Sequence, residues 1–150
     1  GAFNVIRDSV TISGDVRAMA DSTRQKIEEQ IRVIATGIAQ TFQMGVDIDY
    51  QNDYPVLSND KKMTDLVIKA VSEANIDGVK NIRDCGQMPP SEDFAYYAKE
   101  RPSCYFYVGA RLEDKPFPHH HPKFDLDENS MLIAAKAMAA VVYEYLGTEG

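Results

Sequence analysis

The stretch Ser103-Cys104-Tyr105-Phe106-Tyr107-Val108-Gly109 decides the fold class. Its side chains are apolar or aromatic nearly throughout, without the alternation of a half-buried strand, and such runs suit a strand covered by helices on both faces. A loop follows directly, holding all three histidines of the chain, His119, His120 and His121, then Pro122, Lys123, Phe124 and Asp125. Beyond it an Ala-rich helix is predicted from about Asn129 to Leu146, with Met131, Leu132, Ala135, Met138, Ala139, Val142 and Tyr145 on its buried side. Upstream, Ser91 is expected to cap a short helix that carries Phe94, Tyr96 and Tyr97, with Glu92 and Asp93 in the first turn, where carboxylates suit the helix dipole. A short strand is expected at 79–83. Before it, Met63, Leu66, Val67, Ala70, Val71 and Ala74 form one face of a helix behind a cap at Ser58 or Asn59. From residue 58 onward, therefore, the chain reads as α/β.

Further upstream the pattern changes. Val10, Ile12 and Gly14 alternate with Thr11, Ser13 and Asp15, the period of a half-buried strand. Asp21 or Ser22 can cap a long helix whose apolar positions Ile27, Ile31, Ile34, Ile38 and Phe42 fall three and four apart, one stripe on one face. Gly45 is expected to end that region, and Val46, Ile48 and Tyr50 alternate with polar residues as a second strand. Residues 1–57 thus read as a β-α-β unit, about half of a four-stranded, two-helix split β-α-β sandwich. Such a half needs a partner chain or further N-terminal sequence to complete it. Phe3, Val5 and Ile6 agree, being apolar where a terminus is more often polar and frayed.

Composition narrows the function classes. A compact chain of 150 residues would bury about 68–70% of its unfolded surface. The net charge is −7 without a basic run, which argues against nucleic acid and favours small substrates or protein partners. Cys85 and Cys104 belong to no C-x-x-C pattern; they can form one disulfide or stay as two thiols in a reducing cytoplasm. No stretch is expected to reach the ~20 apolar residues of a membrane span, and no secretory leader pattern is present. A soluble, cytoplasmic protein without membrane partners is the expectation.

The histidines carry the chemistry. Imidazole is the commonest metal ligand near neutral pH, and this loop also holds Asp125, Asp127 and Glu128. A metal site needs three or four protein ligands from several segments, and the rest of the chain has no further His. The loop therefore reads either as one part of a metal site or as a polar surface turn.

Three blocks, taken in order, resemble a known family. Asn4-Val5-Ile6-Arg7-Asp8 with Gly14-Asp15-Val16-Arg17 is similar to the "NVIPD…GTVR" signature of metal-dependent amidohydrolases that include hippurate hydrolase, N-acyl-amino acid deacetylases and auxin-conjugate hydrolases, within the aminoacylase and carboxypeptidase G metallopeptidase superfamily. Ser91-Glu92-Asp93-Phe94-Ala95-Tyr96-Tyr97 resembles its "GSEDFAYY", and His120-His121-Pro122-Lys123-Phe124-Asp125 with Asp127-Glu128 its "HHPKFDFDE". Arg7 departs from the family's proline, and Pro89-Pro90 from its Met-Gly.

The resemblance implies that the chain is the carboxyl-terminal part of such an enzyme: residues 1–57 the second half of a lid or dimerisation domain, 58–150 the last part of an α/β catalytic domain. It implies His120 as a metal ligand, Asn4 and Arg17 as substrate-binding residues at a carboxylate, and His121 as a further substrate contact. An Arg fork matches a carboxylate bidentately. It also implies two divalent ions (zinc, manganese or nickel), bound weakly or not at all by this chain alone, an N-acyl amino acid or small peptide as substrate, and a homodimer or other self-association. The Cys-x-His, Glu-Glu and second His segments that supply the other ligands and the general base do not occur, so no catalytic residue is assigned. From another class, the alternative is a stand-alone dimerisation or binding module without catalytic activity.

Overall fold

The computed structural model describes residues 3–148. The chain divides into two units, Gly1–Val56 and Leu57–Gly150.

In the first unit one helix dominates, α1 (Asp21–Thr41). It starts one residue earlier than a cap at Asp21 or Ser22 would require: Ala20, extended at φ −148°, holds the cap position and Asp21 stands in the first turn, favourably placed for the dipole. The helix does not end at Gly45. Gln43 takes the left-handed conformation (φ 55°), its N–H donates to Gln40 O (3.2 Å), and Met44 N–H donates to Ala39 O (2.8 Å). That pair of bonds is a Schellman motif, with Gln where Gly is usual. The chain then returns along α1, fastened by polar side chains: Arg24 Nε donates to Asn52 Oδ1 (2.9 Å) and its NH1 to Tyr54 O (2.7 Å), while Asn52 Nδ2 donates to Glu28 Oε2 (2.7 Å). Arg32 closes the series by pairing with Glu28 at 2.8 Å, and these partners hold the Glu28 carboxyl below its ordinary value. The predicted apolar stripe is split. Ile27 and Ile31 are half-buried with Ala35, and Ala39 is buried, whereas Ile34, Ile38 and Phe42 stay more than half exposed.

In the second unit α2 (Lys61–Glu73) packs against α4 (Asn129–Thr148), with the short α3 (Phe94–Glu100) between them in sequence. The cap of α2 is Asp60, whose carboxylate accepts from Met63 N (3.0 Å), rather than Ser58 or Asn59. Asn59 does something else: its amide accepts from Tyr105 N and donates to Tyr105 O, both at 2.8 Å, and next to it Asp60 N–H donates to Ser103 O (2.8 Å). A side-chain amide here takes the place of one residue of a β ladder. The cap position of α3 is Asp93, not Ser91.

The face of α4 is opposite to the expected one. Ser130 and Ala137 are buried and Ile133, Ala134, Ala140, Val141 and Glu144 half-buried, while Met131, Leu132, Met138, Val142 and Tyr145 are exposed. A helix apolar on most of its circumference carries little directional signal; close approach to α2 selects the small side chains. Lys69 and Glu144 pair at 2.6 Å across the two helices. Through Asn129–Gly147, α4 is also long and apolar enough, by length and composition only, to cross a membrane, which corrects the expectation that no stretch reaches that length. Gly78 has φ 91°, a backbone conformation that a residue with a Cβ rarely adopts, so the turn after α2 favours glycine there; a Cβ would also meet the flexible end of the Ile133 side chain at 2.8 Å, which that side chain can yield to.

The expected α/β fold with half of a four-stranded lid is not what forms: among the described residues there is no β-strand. The segments read as strands, 10–18, 46–51, 79–83 and 103–109, are irregular. Alternation or continuous apolarity marks residues suited to a sheet, but a strand exists only where a neighbour supplies its ladder partners. Here the ladder is absent, and Val10 and Ile12 are exposed.

Candidate functional site

The histidine loop is built from two successive β-turns. In the first, His121 N–H donates to Pro118 O (3.2 Å), which puts His119 and His120 at the two central positions, and His120 has φ 67°. A positive φ at the second central position alone is the type II pattern, normally given to Gly or Asn. In the second turn Phe124 N–H donates to His121 O (2.9 Å), with Pro122 at the first central position, where its fixed φ suits the turn.

The three imidazoles then have different surroundings. His121 stacks on Phe117 at 4.5 Å between centroids and 10° between planes, and Lys123 Nζ stands 5.8 Å over the same Phe117 ring. Lys123 N–H donates to His121 Nδ1 (3.0 Å), so in the neutral ring the proton sits on Nε2. His119 stacks on Phe124 at 4.8 Å. His120, exposed at the tip of the turn, takes part in neither stack. Backbone strain of about 1–3 kcal/mol at such a residue is a common mark of a functional position.

Two of the neighbouring carboxylates, Asp125 and Asp127, are occupied by structural contacts. Asp125 pairs with Lys115 at 2.6 Å and accepts from Leu126 N (2.9 Å). The Lys115 hydrogen bond, more than any other cause, holds the Asp125 carboxyl below its ordinary value and raises the lysine. Asp127 accepts from the backbone and side-chain amides of Asn129 (3.0 and 2.9 Å) and so organises the start of α4. Among the described residues no group of three or more His, Cys, Asp or Glu side chains gathers where it could hold a metal ion. His120 is exposed at the tip of the turn, and the described residues do not assemble a complete metal site around it.

Of the expected substrate residues, Asn4 and Arg17 lie in the first unit and His121 in the second. Asn4 is exposed in a turn, and Arg17 is exposed with its Nε donating to Asp15 Oδ2 (2.7 Å). One polar cluster had no local sequence signal. Phe94, Tyr105 and Tyr107 form a chain of ring contacts at 5.4 and 5.2 Å. Burial and then the Glu92 hydrogen bond raise the Tyr105 phenol, and burial with the Glu92 charge raises Tyr107. Both therefore stay protonated through neutral pH. The contact between residues 92 and 105 depends on tertiary placement, which Ser91-Glu92-Asp93 by itself suggested only as helix capping.

Comparison with known proteins places these features in a family. Residues 5–144 match the model for peptidase family M20/M25/M40. The chain is 32% identical over 145 residues to Bacillus subtilis (strain 168) YhaA, assigned as an amidohydrolase, covering 95% of this chain and 36% of that protein. It is 26% identical over 146 residues to N-acetyldiaminopimelate deacetylase of Bacillus pumilus (strain SAFR-032), covering 97% and 37%. A crystal structure of a protein assigned as an aminohydrolase from methicillin-resistant Staphylococcus aureus matches with TM-score 0.74 and 44% identity, over 85% of this chain and 32% of that one. The chain spans about a third of the length of the relatives it matches.

Proposed function

The chain belongs to peptidase family M20/M25/M40, and on that premise we propose that the protein containing it hydrolyses the amide bond of N-acyl amino acids or small peptides with the help of two divalent ions, zinc, manganese or nickel. The observation that carries this reading is the double turn that presents His120, in a strained left-handed conformation, within the family's last histidine block. Divalent ions in such enzymes acidify bound water and polarise a carbonyl. One imidazole falls short of the three or four ligands an ion needs, so the remaining ligands and the general base belong to other parts of the protein, and this chain alone is inactive. Residues 1–57 serve as a lid or dimerisation part and 58–150 as the end of the catalytic domain.

Within this chain Asn4 and Arg17 hold the carboxylate end of the substrate, and His121 is a further substrate contact. The Asp15 pair of Arg17 is exposed on both sides, hence weak, and can yield to a substrate carboxylate. The protein works as a homodimer, which the exposed apolar flank of α1 supports. A cytoplasmic location is supported by the free thiols of Cys85 and Cys104, as expected in a reducing compartment.

The test is turnover of N-acetyl amino acids by the full-length protein with each metal added, alongside the single variants. His120→Ala should lose bound metal and most activity, and His119→Ala should change little. Arg17→Ala should raise KM for substrates with a free carboxylate far more than for their amides, by about 1.5–3 kcal/mol of lost charge-assisted bonding. A His120→Ala protein with full metal occupancy would remove the ligand assignment, and no product with any metal would leave the stand-alone binding module as the function.

A further inference from the structure

We infer that His121 is a positioning residue for His120, acting through Nδ1 and through the Phe117 stack, in addition to any contact its Nε2 makes with substrate. The inference deepens the proposed role of His120 and rests on it.

His120 must remain at φ 67°, a conformation disfavoured for a residue with a Cβ by about 1–2 kcal/mol. Something in the loop has to hold it there. The residue that closes the first turn is His121, whose N–H reaches Pro118 O, and the same residue opens the second through its carbonyl to Phe124 N–H. Its side chain then fastens the second turn again, by accepting Lys123 N–H two residues on. A side-chain acceptor that takes the N–H of residue i+2 is what Asn, Asp or Ser does in an Asx or ST turn. His121 performs this with Nδ1, and the near-parallel Phe117 ring sets the plane of the imidazole so that Nδ1 faces the amide. Lys123 Nζ, 5.8 Å over the Phe117 ring, adds a cation to the same aromatic contact. Residues 117, 121 and 123 thus brace the junction of the two turns, and the left-handed residue sits immediately before that junction.

The acceptor function and the Nε2 donor function separate cleanly by substitution. Asn at position 121 keeps an acceptor for Lys123 N–H and has no Nε2; Ala keeps neither. Metal affinity of the full-length protein, measured by chelator competition with zinc, should fall about 10–100-fold in His121→Ala, the usual effect of losing a group that orients a ligand, and should recover to within about threefold of the natural protein in His121→Asn. Phe117→Leu should fall between them. In the metal-free full-length protein, long-range proton–nitrogen spectra should show His121 as the Nε2–H tautomer.

Unchanged affinity in His121→Ala, or an equal loss in His121→Asn, overturns the inference, as does an Nδ1–H tautomer in the natural protein, a readout that holds even where a variant fails to fold. Zinc binding by His120→Ala at full affinity is a different result, for it removes His120 as a ligand and the reading on which this inference stands.

Discussion

Gln43 shows how one residue can stop a helix against its own preference. Its left-handed φ of 55° costs a residue with a Cβ about 1–2 kcal/mol, and glycine would avoid this while adding roughly 0.4–1 kcal/mol of unfolded-state entropy. The first effect is larger, so Gln43→Gly should stabilise the chain by about 0.5–1 kcal/mol; chemical denaturation of the two proteins measures it, and a less stable variant would contradict the Schellman geometry. The Asp125–Lys115 pair gives a prediction in pH. Asp125 titrates below its ordinary 3.8 because the folded loop favours the charged carboxylate, so its contribution is present above that value and disappears as pH falls through the depressed one. Lys115, raised above 10.5, contributes below that value and loses its contribution as pH rises through the raised one. The carboxyl carbon of Asp125 should therefore keep a constant chemical shift through the neutral range and titrate only in stronger acid. A midpoint at or above 3.8 would show that the pair does not persist in solution.

Among the elements, α2 depends on what precedes it. Asp60 caps it while Asn59, one residue earlier, ties the entry to Tyr105 by two hydrogen bonds. Asn59→Ala removes both, and since each bond contributes about 0.5–1.5 kcal/mol net and this pair is exposed, a loss of about 1–2 kcal/mol is expected. The location of the effect is the sharper test: amide exchange at Tyr105 should accelerate in the variant while exchange within α2, still capped by Asp60, stays slow. Equal acceleration along α2 would mean that Asn59 stabilises the helix itself.

The area left in contact with solvent is the dominant fact about the chain taken together. In each unit large apolar side chains stay in contact with solvent, Ile34, Ile38 and Phe42 of α1 and Leu132, Met138 and Val142 of α4 among them. The burial expected from the chain's length is not reached: among the described residues the buried apolar side chains are Ala39, Val67, Ala70, Ile76, Ala95 and Ala137, most of them small. Apolar area of this extent drives association. The isolated chain should self-associate in a concentration-dependent way by light scattering, and Ile34→Glu with Ile38→Glu on the exposed flank of α1 should reduce it. A strictly monomeric species with cooperative unfolding at high concentration would contradict this expectation.

Local chemistry was legible from the residues alone: the periodicity of α1 and α2, the proline-stiffened histidine loop, and the ordered blocks at residues 4–17, 91–97 and 120–128 that identify the family. Each of these depends on neighbours a few positions apart. Tertiary structure alone decided which face of α4 is buried, because its apolar residues surround the helix and only contact with α2 chooses among them. It also decided that the segments at 10–18 and 103–109 form no sheet, since a strand is defined by a partner and no partner is encoded in its own alternation. The same holds for the three histidines, equivalent as letters, which become an exposed turn tip and two stacked rings only once Phe117, Phe124 and the double turn give each imidazole its own surroundings.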